Sequence, residues 1–334
     1  VITASLGNHA QGVAYAAKIM GVKATIVMPE FSPIIKVLAT RHYGAKVLLY
    51  GRGYEEAYNR ATEIQKEKGY TFIHAFDDPQ IIAGHGTIGL EILESLPDVH
   101  QVVVPVGGGG LISGIAFTIK QLNPEVKIIG VESEKSPSMK VSLERGKMCS
   151  IPPETTIADG IAVKTPGKIT FQFVKKYVDS IVTVTEEEIA GAILLLLERA
   201  KLIAEGAGAA GLAACINQKI NCSGKKTAII LSGGNIDTNL ISRIIERGLV
   251  KEGRYLSIRT IVKDEPGELK NMLSLISKLK ANVVTVNHDR IRLDIPVGYA
   301  RIELLVETWG KEHSDKIISS LKKAGFDVQT PPRL

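Results

Sequence analysis

Four consecutive glycines, Gly107, Gly108, Gly109 and Gly110, stand between an almost wholly apolar run, 101–106, and an amphipathic stretch, 111–122. No side chain blocks approach to the backbone of such a segment, and its N–H groups are free to converge. The helix that follows adds the positive end of its dipole, so the junction suits an anion such as a phosphate. A continuous apolar strand that leads through glycine into a helix also belongs to a parallel sheet covered on both faces. The first 250 residues repeat that alternation. Residues 1–3 read as a strand end, and further strands are expected at 24–28, 46–50, 71–74 and 127–132. Helical periodicity separates them at 8–20, 33–43, 54–68 and 84–96. The expected fold class is α/β, doubly wound on parallel sheets.

Near Arg254 the pattern changes. Residues 255–262 alternate like a half-exposed strand, 267–279 form an amphipathic helix, 282–290 and 298–307 are strands, 311–324 a helix, and 326–329 a last short strand. That β-α-β-β-α-β order is ferredoxin-like. A chain of 334 residues exceeds one ordinary core. The division expected is a small domain over 1–78, a large one over 79–252 and a separate C-terminal unit over 253–334.

Composition excludes several classes. The net charge of +6 is dispersed, with no basic block interleaved with aromatics, which argues against nucleic acid. The apolar run 190–197 is far shorter than a membrane span, and no secretory signal is expected. Cys149, Cys215 and Cys222 form no CxxC pair, which fits a reducing cytoplasm and argues against zinc.

Two more strand-to-helix junctions carry polar groups. In Ser5-Leu6-Gly7-Asn8-His9-Ala10-Gln11-Gly12, small residues, free N–H groups and an amide side chain meet at a helix start, which suits a carboxylate. A helix cap alone would also explain Asn8. The run 227–231 ends in Ser232-Gly233-Gly234-Asn235, so a hydroxyl sits where ligands bind in open α/β sheets. Glu132 ends the strand after the glycines, where a dinucleotide fold would place its ribose-binding acid. However, the glycine run matches GxGxxG in no register.

The three loops occur with Phe76-Asp77-Asp78-Pro79, Ile82-Ala83-Gly84-His85-Gly86-Thr87, Ala158-Asp159-Gly160-Ile161-Ala162-Val163 and Ala204-Glu205-Gly206-Ala207-Gly208. In this combination residues 1–250 resemble the fold-type II pyridoxal phosphate (PLP) enzymes, specifically the threonine dehydratase and serine racemase family. The resemblance implies that the amides of Gly107, Gly108, Gly109 and Gly110 hold the PLP phosphate. It implies that Asn8 bonds the ring 3-hydroxyl and that Ser232 faces the pyridine nitrogen. The backbone of Ser5, Gly7, Asn8 and His9 would receive the carboxylate of an amino-acid substrate. A cation site is also implied, with Glu132 as its carboxylate and hydroxyls at Ser136 and Ser138, a set that favours a monovalent ion. An ordinary strand-end acid is the alternative for Glu132.

The family's PLP-holding lysine precedes the Ser-x-Gly-Asn-His loop. Four residues precede Ser5 here, none of them lysine, so that lysine is expected upstream of Val1 and the chain alone is expected to be inactive. Lys23, Lys36 and Lys46 lie beyond the motif. Leu6 stands where the family's racemases place a second acid–base group, which favours elimination over racemisation. The reaction implied is β-elimination: L-threonine to 2-oxobutanoate and ammonia, or L-serine to pyruvate. Through Asp264-Glu265-Pro266-Gly267-Glu268-Leu269 the C-terminal unit resembles an ACT domain. That resemblance implies pairing between subunits, a homodimer or homotetramer, and an amino-acid effector near Asp264, Pro266 and Gly267. An oligomerisation module without a ligand is the alternative. Rival readings of the whole chain are a serine racemase, a nucleotide-linked oxidoreductase and a non-enzymatic effector-binding protein.

Overall fold

The computed structural model describes residues 1–5, 7–152 and 154–330. The chain forms two compact units, Val1–Ile236 and Asp237–Leu334.

The first unit holds two parallel sheets. One runs β1-β2-β3, from β1 (Ile2–Ala4), β2 (Thr25–Met28) and β3 (Lys46–Leu49). Side chains alternate across β2. Ile26 and Met28 pack with Ala10, Val13 and Val37 of α1 (Asn8–Ile19) and α2 (Ile34–His42). Val27 packs on the other face with Ala57, Ala61 and Ile64 of α3 (Tyr54–Lys68). Both faces are therefore covered, at about 1.5–3 kcal/mol for each large aliphatic side chain buried. The strand expected at 71–74 is only a bridge, Ile2 to Phe72. The chain turns away because His74 Nδ1 accepts the N–H groups of Phe76 (3.1 Å) and Asp77 (2.8 Å), which curls the backbone before a strand can extend.

The helix α4 (Pro79–Ser95) starts earlier than its apolar periodicity suggested. Asp78 caps it, accepting from Gln80 and Ile81, and Pro79 fills the first helical position. Next come β4 (Gln101–Pro105), α5 (Gly110–Leu122), β5 (Lys127–Ser133) and α6 (Ser138–Glu144). They are followed by α7 (Lys168–Tyr177), β6 (Ser180–Val184), α8 (Glu186–Leu195), α9 (Gly206–Ile216) and β7 (Thr227–Ile229). The second sheet has the order β6-β5-β4-β7, all parallel. On one face Val102, Val104 and Ile128 pack with Ile112, Ile115, Phe171 and Val174 of α5 and α7. On the other, Gly211 lets α9 lie close to the sheet: a Cβ there would be 3.0 Å from Ile229 and 3.4 Å from Val103. The sheet grows to opposite sides of β4, so the loops after β4 and β7 meet at the carboxyl edge, where open α/β sheets bind ligands.

The second unit begins with α10 (Thr238–Lys251), β8 (Tyr255–Lys263) and α11 (Glu268–Lys278). It continues with β9 (Asn282–Asp289), β10 (Tyr299–Glu307) and α12 (Lys311–Lys323). The sheet is antiparallel, β8-β10-β9, and the expected last strand is a single bridge from Gln329 to Arg259. Ile258, Met272, Ile276, Ile302, Ile317 and Leu321 form its core. A boundary near 252 would leave α10 in the first unit. The chain instead divides ahead of that helix, which packs on β8. Gly267 caps α11 at φ 108°, so Pro266 stands in the preceding turn rather than in the helix. Among the described residues no helix is long and apolar enough to cross a membrane.

Candidate active site

A cleft of about 1410 Å³ in the first unit gathers the three loops singled out in the sequence: Ser5, Gly7, Asn8 and His9 after β1, the four glycines after β4, and Ser232 after β7. Gly108, Gly109 and Gly110 are buried. Among the described residues, nothing accepts a hydrogen bond from the N–H of Gly107, Gly108 or Gly109. Buried backbone donors are nearly always paired, so the unpaired N–H groups of buried Gly108 and Gly109, with that of half-buried Gly107, mark a place for anionic oxygens at a helix N-terminus.

Glycine is required at these positions for a second reason. A Cβ on Gly108 would lie 2.4 Å from the ring of Phe76, one on Gly110 would lie 2.9 Å from the Phe76 Cα, and Gly109 has φ 94°. Asp77, beside Phe76, holds the start of α7. Its Oδ1 accepts from Ile169 (2.8 Å) and Thr170 (3.1 Å), and its Oδ2 from Lys168 (3.0 Å). Thr170 Oγ1 in turn donates to Gly108 O at 2.6 Å.

At the β1–α1 junction, Ser5 Oγ accepts from Gly7 N and Ala10 N, both at 3.1 Å, while Ser5 N donates to Val27 O at 3.2 Å. Two of the four amides expected to receive a carboxylate, those of Ser5 and Gly7, are therefore already bonded. The serine hydroxyl, which also accepts from the first turn of α1, takes the Gly7 amide, and β2 takes that of Ser5. The N–H groups of Asn8 and His9 have no acceptor among the described residues. The His9 imidazole faces away from that task. Its Nε2 lies 3.0 Å from Thr3 Oγ1 and 3.1 Å from Ile73 O, and burial lowers its pKa. Leu6 lies outside the described residues.

The Asn8 side chain is held on both sides. Nδ2 donates to Glu205 Oε1, and Oδ1 accepts from Asn235 Nδ2, each at 2.7 Å. Burial raises the pKa of Glu205. Lys36 reaches into the same cleft and pairs with Asp159 at 2.7 Å. The sequence reading gave no role to Phe76, Asp77, Asp159, Glu205 or Asn235. All five stood in motifs that match the family pattern, and that match was the available signal.

Glu132 is fully buried, and burial pushes its pKa up to about 7. Its two oxygens accept from Met139 N (2.9 Å) and Lys140 N (2.8 Å), capping α6. Ser136 Oγ donates to Val163 O at 3.4 Å. Among the described residues no cluster of three His, Cys, Asp or Glu side chains could hold a metal. The carboxyl group expected to meet a cation thus caps the N-terminus of α6, whose positive end partly offsets the burial of any charge it carries.

An anion cradle facing an amide and a hydroxyl across one cleft fits a phosphorylated, polar, flat ring. The family profile described as "Pyridoxal-phosphate dependent enzyme" matches residues 1–233. The chain belongs to that family. Its cofactor is PLP, and the residues described above fit it. L-threonine ammonia-lyase of Thermotoga maritima is 56% identical over 329 residues, 98% of this chain and 82% of the relative. Among solved structures, the processed threonine deaminase isoform 2 of Solanum lycopersicum has a TM-score of 0.70 at 42% identity, covering 74% of this chain and 72% of that one. Serine racemase of Dictyostelium discoideum has a TM-score of 0.66 at 38% identity, covering 71% and 76%. The same fold therefore serves lyases and racemases.

Proposed function

We propose that the chain carries the site of a PLP-dependent lyase that eliminates water from L-threonine, and less readily from L-serine, to an enamine whose imine tautomer takes one water back up as it releases ammonia, so that the net products are ammonia and 2-oxobutanoate or pyruvate. The observation that carries this reading is the run of acceptorless amides at Gly107, Gly108 and Gly109, the last two buried, in the cleft that Asn8 and Ser232 also line. Identity to a threonine ammonia-lyase across nearly the whole chain supports threonine as the substrate. Gly107, Gly108, Gly109 and Gly110 would hold the phosphate, Asn8 the ring 3-oxygen, and Ser232 the pyridine nitrogen. The Asn8 and His9 amides would receive the substrate carboxylate, with Ser5 and Gly7 shaping the turn that presents them. When bound, PLP supplies the electron sink that lets an α-proton leave.

Neither lysine on the cleft wall is read as the cofactor lysine. Lys36 is engaged by Asp159, and Lys164 by Glu55 at 2.8 Å. The test has two arms. The 334-residue chain with PLP and L-threonine is expected to give no 2-oxo acid. The same residues preceded by the lysine-bearing segment of a threonine ammonia-lyase are expected to give 2-oxobutanoate. A fused protein that binds PLP but turns over neither threonine nor serine overturns the lyase reading. Turnover by the unfused chain, with borohydride labelling mapped to Lys36, would make Lys36 the amine.

For residues 253–334 we propose an ACT-type regulatory unit that pairs with its copy and binds a small amino acid near Asp264, Pro266 and Gly267. The β-α-β-β-α order supports it, as does the pinned turn: Asp264 N donates to Gly298 O at 3.0 Å, and its carboxylate meets Arg290 at 3.3 Å. Calorimetric titration with isoleucine and valine tests it, and no heat from any amino acid counts against an effector.

A further inference from the structure

Glu205 heads α9, is 4% exposed and lies on the cleft wall. Its Oε1 accepts from Asn8, while its Oε2 has no hydrogen-bond partner among the described residues. A buried carboxylate oxygen without a partner is costly when charged and far cheaper when it carries a proton. Since Oε1 is an acceptor, that proton belongs on Oε2.

The neighbours fix which way Asn8 faces. Asn235 Nδ2 donates to Asn8 Oδ1, and Asn8 Nδ2 donates to Glu205. Reversing the Asn8 amide would set two N–H donors against each other at Asn235 and two oxygens against each other at Glu205. Asn8 has two Nδ2 hydrogens, and one remains for the cleft.

We propose that Glu205 is a positioning residue that carries a proton on Oε2 and, by accepting from Asn8, keeps the second Nδ2 hydrogen of Asn8 available to the 3-oxygen of the bound cofactor. This rests on the proposed role of Asn8 as the donor to that oxygen. The charged groups around Glu205 are Asp159, whose repulsion favours the proton, and Lys36 from α2, whose attraction opposes it. The bond from Asn8 and the backbone amide of Asn235 also favour the charged form, but burial, together with Asp159, outweighs all three. Raising the pH through the elevated Glu205 pKa puts a negative charge beside the 3-oxygen, so cofactor affinity should fall as pH rises.

Two measurements on the 334-residue chain test this, each on the wild type, Glu205→Gln and Glu205→Ala. Glutamine copies the protonated acid and keeps the acceptor, and alanine removes both. The first measurement follows the Asn8 side-chain amide by NMR in ligand-free protein, assigned by its loss in Asn8→Asp. Its shifts are expected to titrate above the ordinary carboxyl range in the wild type, to be independent of pH in Glu205→Gln, and to collapse toward a solvent-exposed amide in Glu205→Ala. The second is PLP titration followed by cofactor absorbance. Glu205→Gln is expected to bind within about threefold of the wild type without its loss of affinity at high pH, and Glu205→Ala about tenfold more weakly. Asn8 resonances in Glu205→Ala that match the wild type overturn the proposal, as does a wild-type titration that survives in Glu205→Gln. A wild type that binds no PLP overturns the cofactor reading instead, while the Asn8 resonances still decide whether the clamp exists.

Discussion

Asp77→Ala should loosen the glycine loop without touching it. The carboxylate accepts three N–H groups at the start of α7, at 2.8, 3.0 and 3.1 Å. A hydrogen bond to a charged group contributes about 1.5–3 kcal/mol, and loss of a helix cap costs about 0.5–2 kcal/mol. Asp77 is only half-buried, and water can replace part of what is lost. The three bonds together are therefore expected to stabilise the unit by about 2–4 kcal/mol rather than by the sum of isolated values. For a unit of this size each kcal/mol moves Tm by about 2–4 °C, so Asp77→Ala should lower it by about 4–15 °C. Asp77→Asn keeps the Oδ1 bonds to Ile169 and Thr170 and loses the Oδ2 bond to Lys168, so it should show about half the shift. Because Thr170 Oγ1 holds the Gly108 carbonyl, PLP affinity should weaken in the same order. Thermal unfolding and PLP titration of the three proteins are the assays. An Asp77→Ala protein that melts within about 1 °C of the wild type would show that α7 does not depend on this cap.

Gly108→Ala sets a methyl 2.4 Å from the Phe76 ring. Overpacking of that kind costs about 1–3 kcal/mol, so both melting temperature and PLP affinity should drop; wild-type PLP affinity would contradict the packing. The fold favours the protonated form of Glu132, whose pKa is raised from 4.5 to about 7, so stability should fall as pH rises across that window. The fall is about 3 kcal/mol at most, and Glu132→Gln should flatten it; an unchanged pH profile in that variant would contradict the assignment. In the lysine-bearing fusion, L-serine should give pyruvate with little D-serine. Chiral analysis showing comparable amounts would mean that a group other than residue 6 works on the second face.

The strands and helices legible in the sequence were those with strong local signals. The apolar run ending at Val106 and the glycines after it announced β4 and α5, and both stand where expected. Ser5, Asn8, the four glycines and Ser232 stand out because each follows a strand, and all line one cleft: the order of the second sheet sets the glycines beside β7, while Ser5 and Asn8 come from the first sheet. What the sequence did not show depends on pairing across distance. Residues 71–74 have strand composition, yet the His74 ring diverts them through two backbone bonds. Glu132 reads equally as a cation ligand or a cap, and only the fold shows that the start of α6 lies against its oxygens. The Asn8–Glu205 bond joins residues 197 positions apart, a relation that no local pattern encodes.

The glycine loop shows why a site of this kind is hard to move within its fold. On one side its amides must stay open to an anion. On the other, its Cα atoms lie against Phe76 and Ile161, with a Cβ on Gly107 falling 3.0 Å from Ile161 Cα. Phe76 is fixed by His74 at the end of the first sheet, and the loop's carbonyl by Thr170 at the start of α7. The position of the loop's amides is therefore set by residues from three other stretches of chain. A change at any of them shifts the amides relative to Asn8 and Ser232, which come from other strands. Binding the anion alone tolerates such shifts, because the helix dipole and the remaining amides still attract it. Aligning a ring between Asn8 and Ser232 does not, since short hydrogen bonds weaken steeply with angle. Variants in this outer support should therefore separate two properties, keeping affinity for inorganic phosphate while losing affinity for PLP.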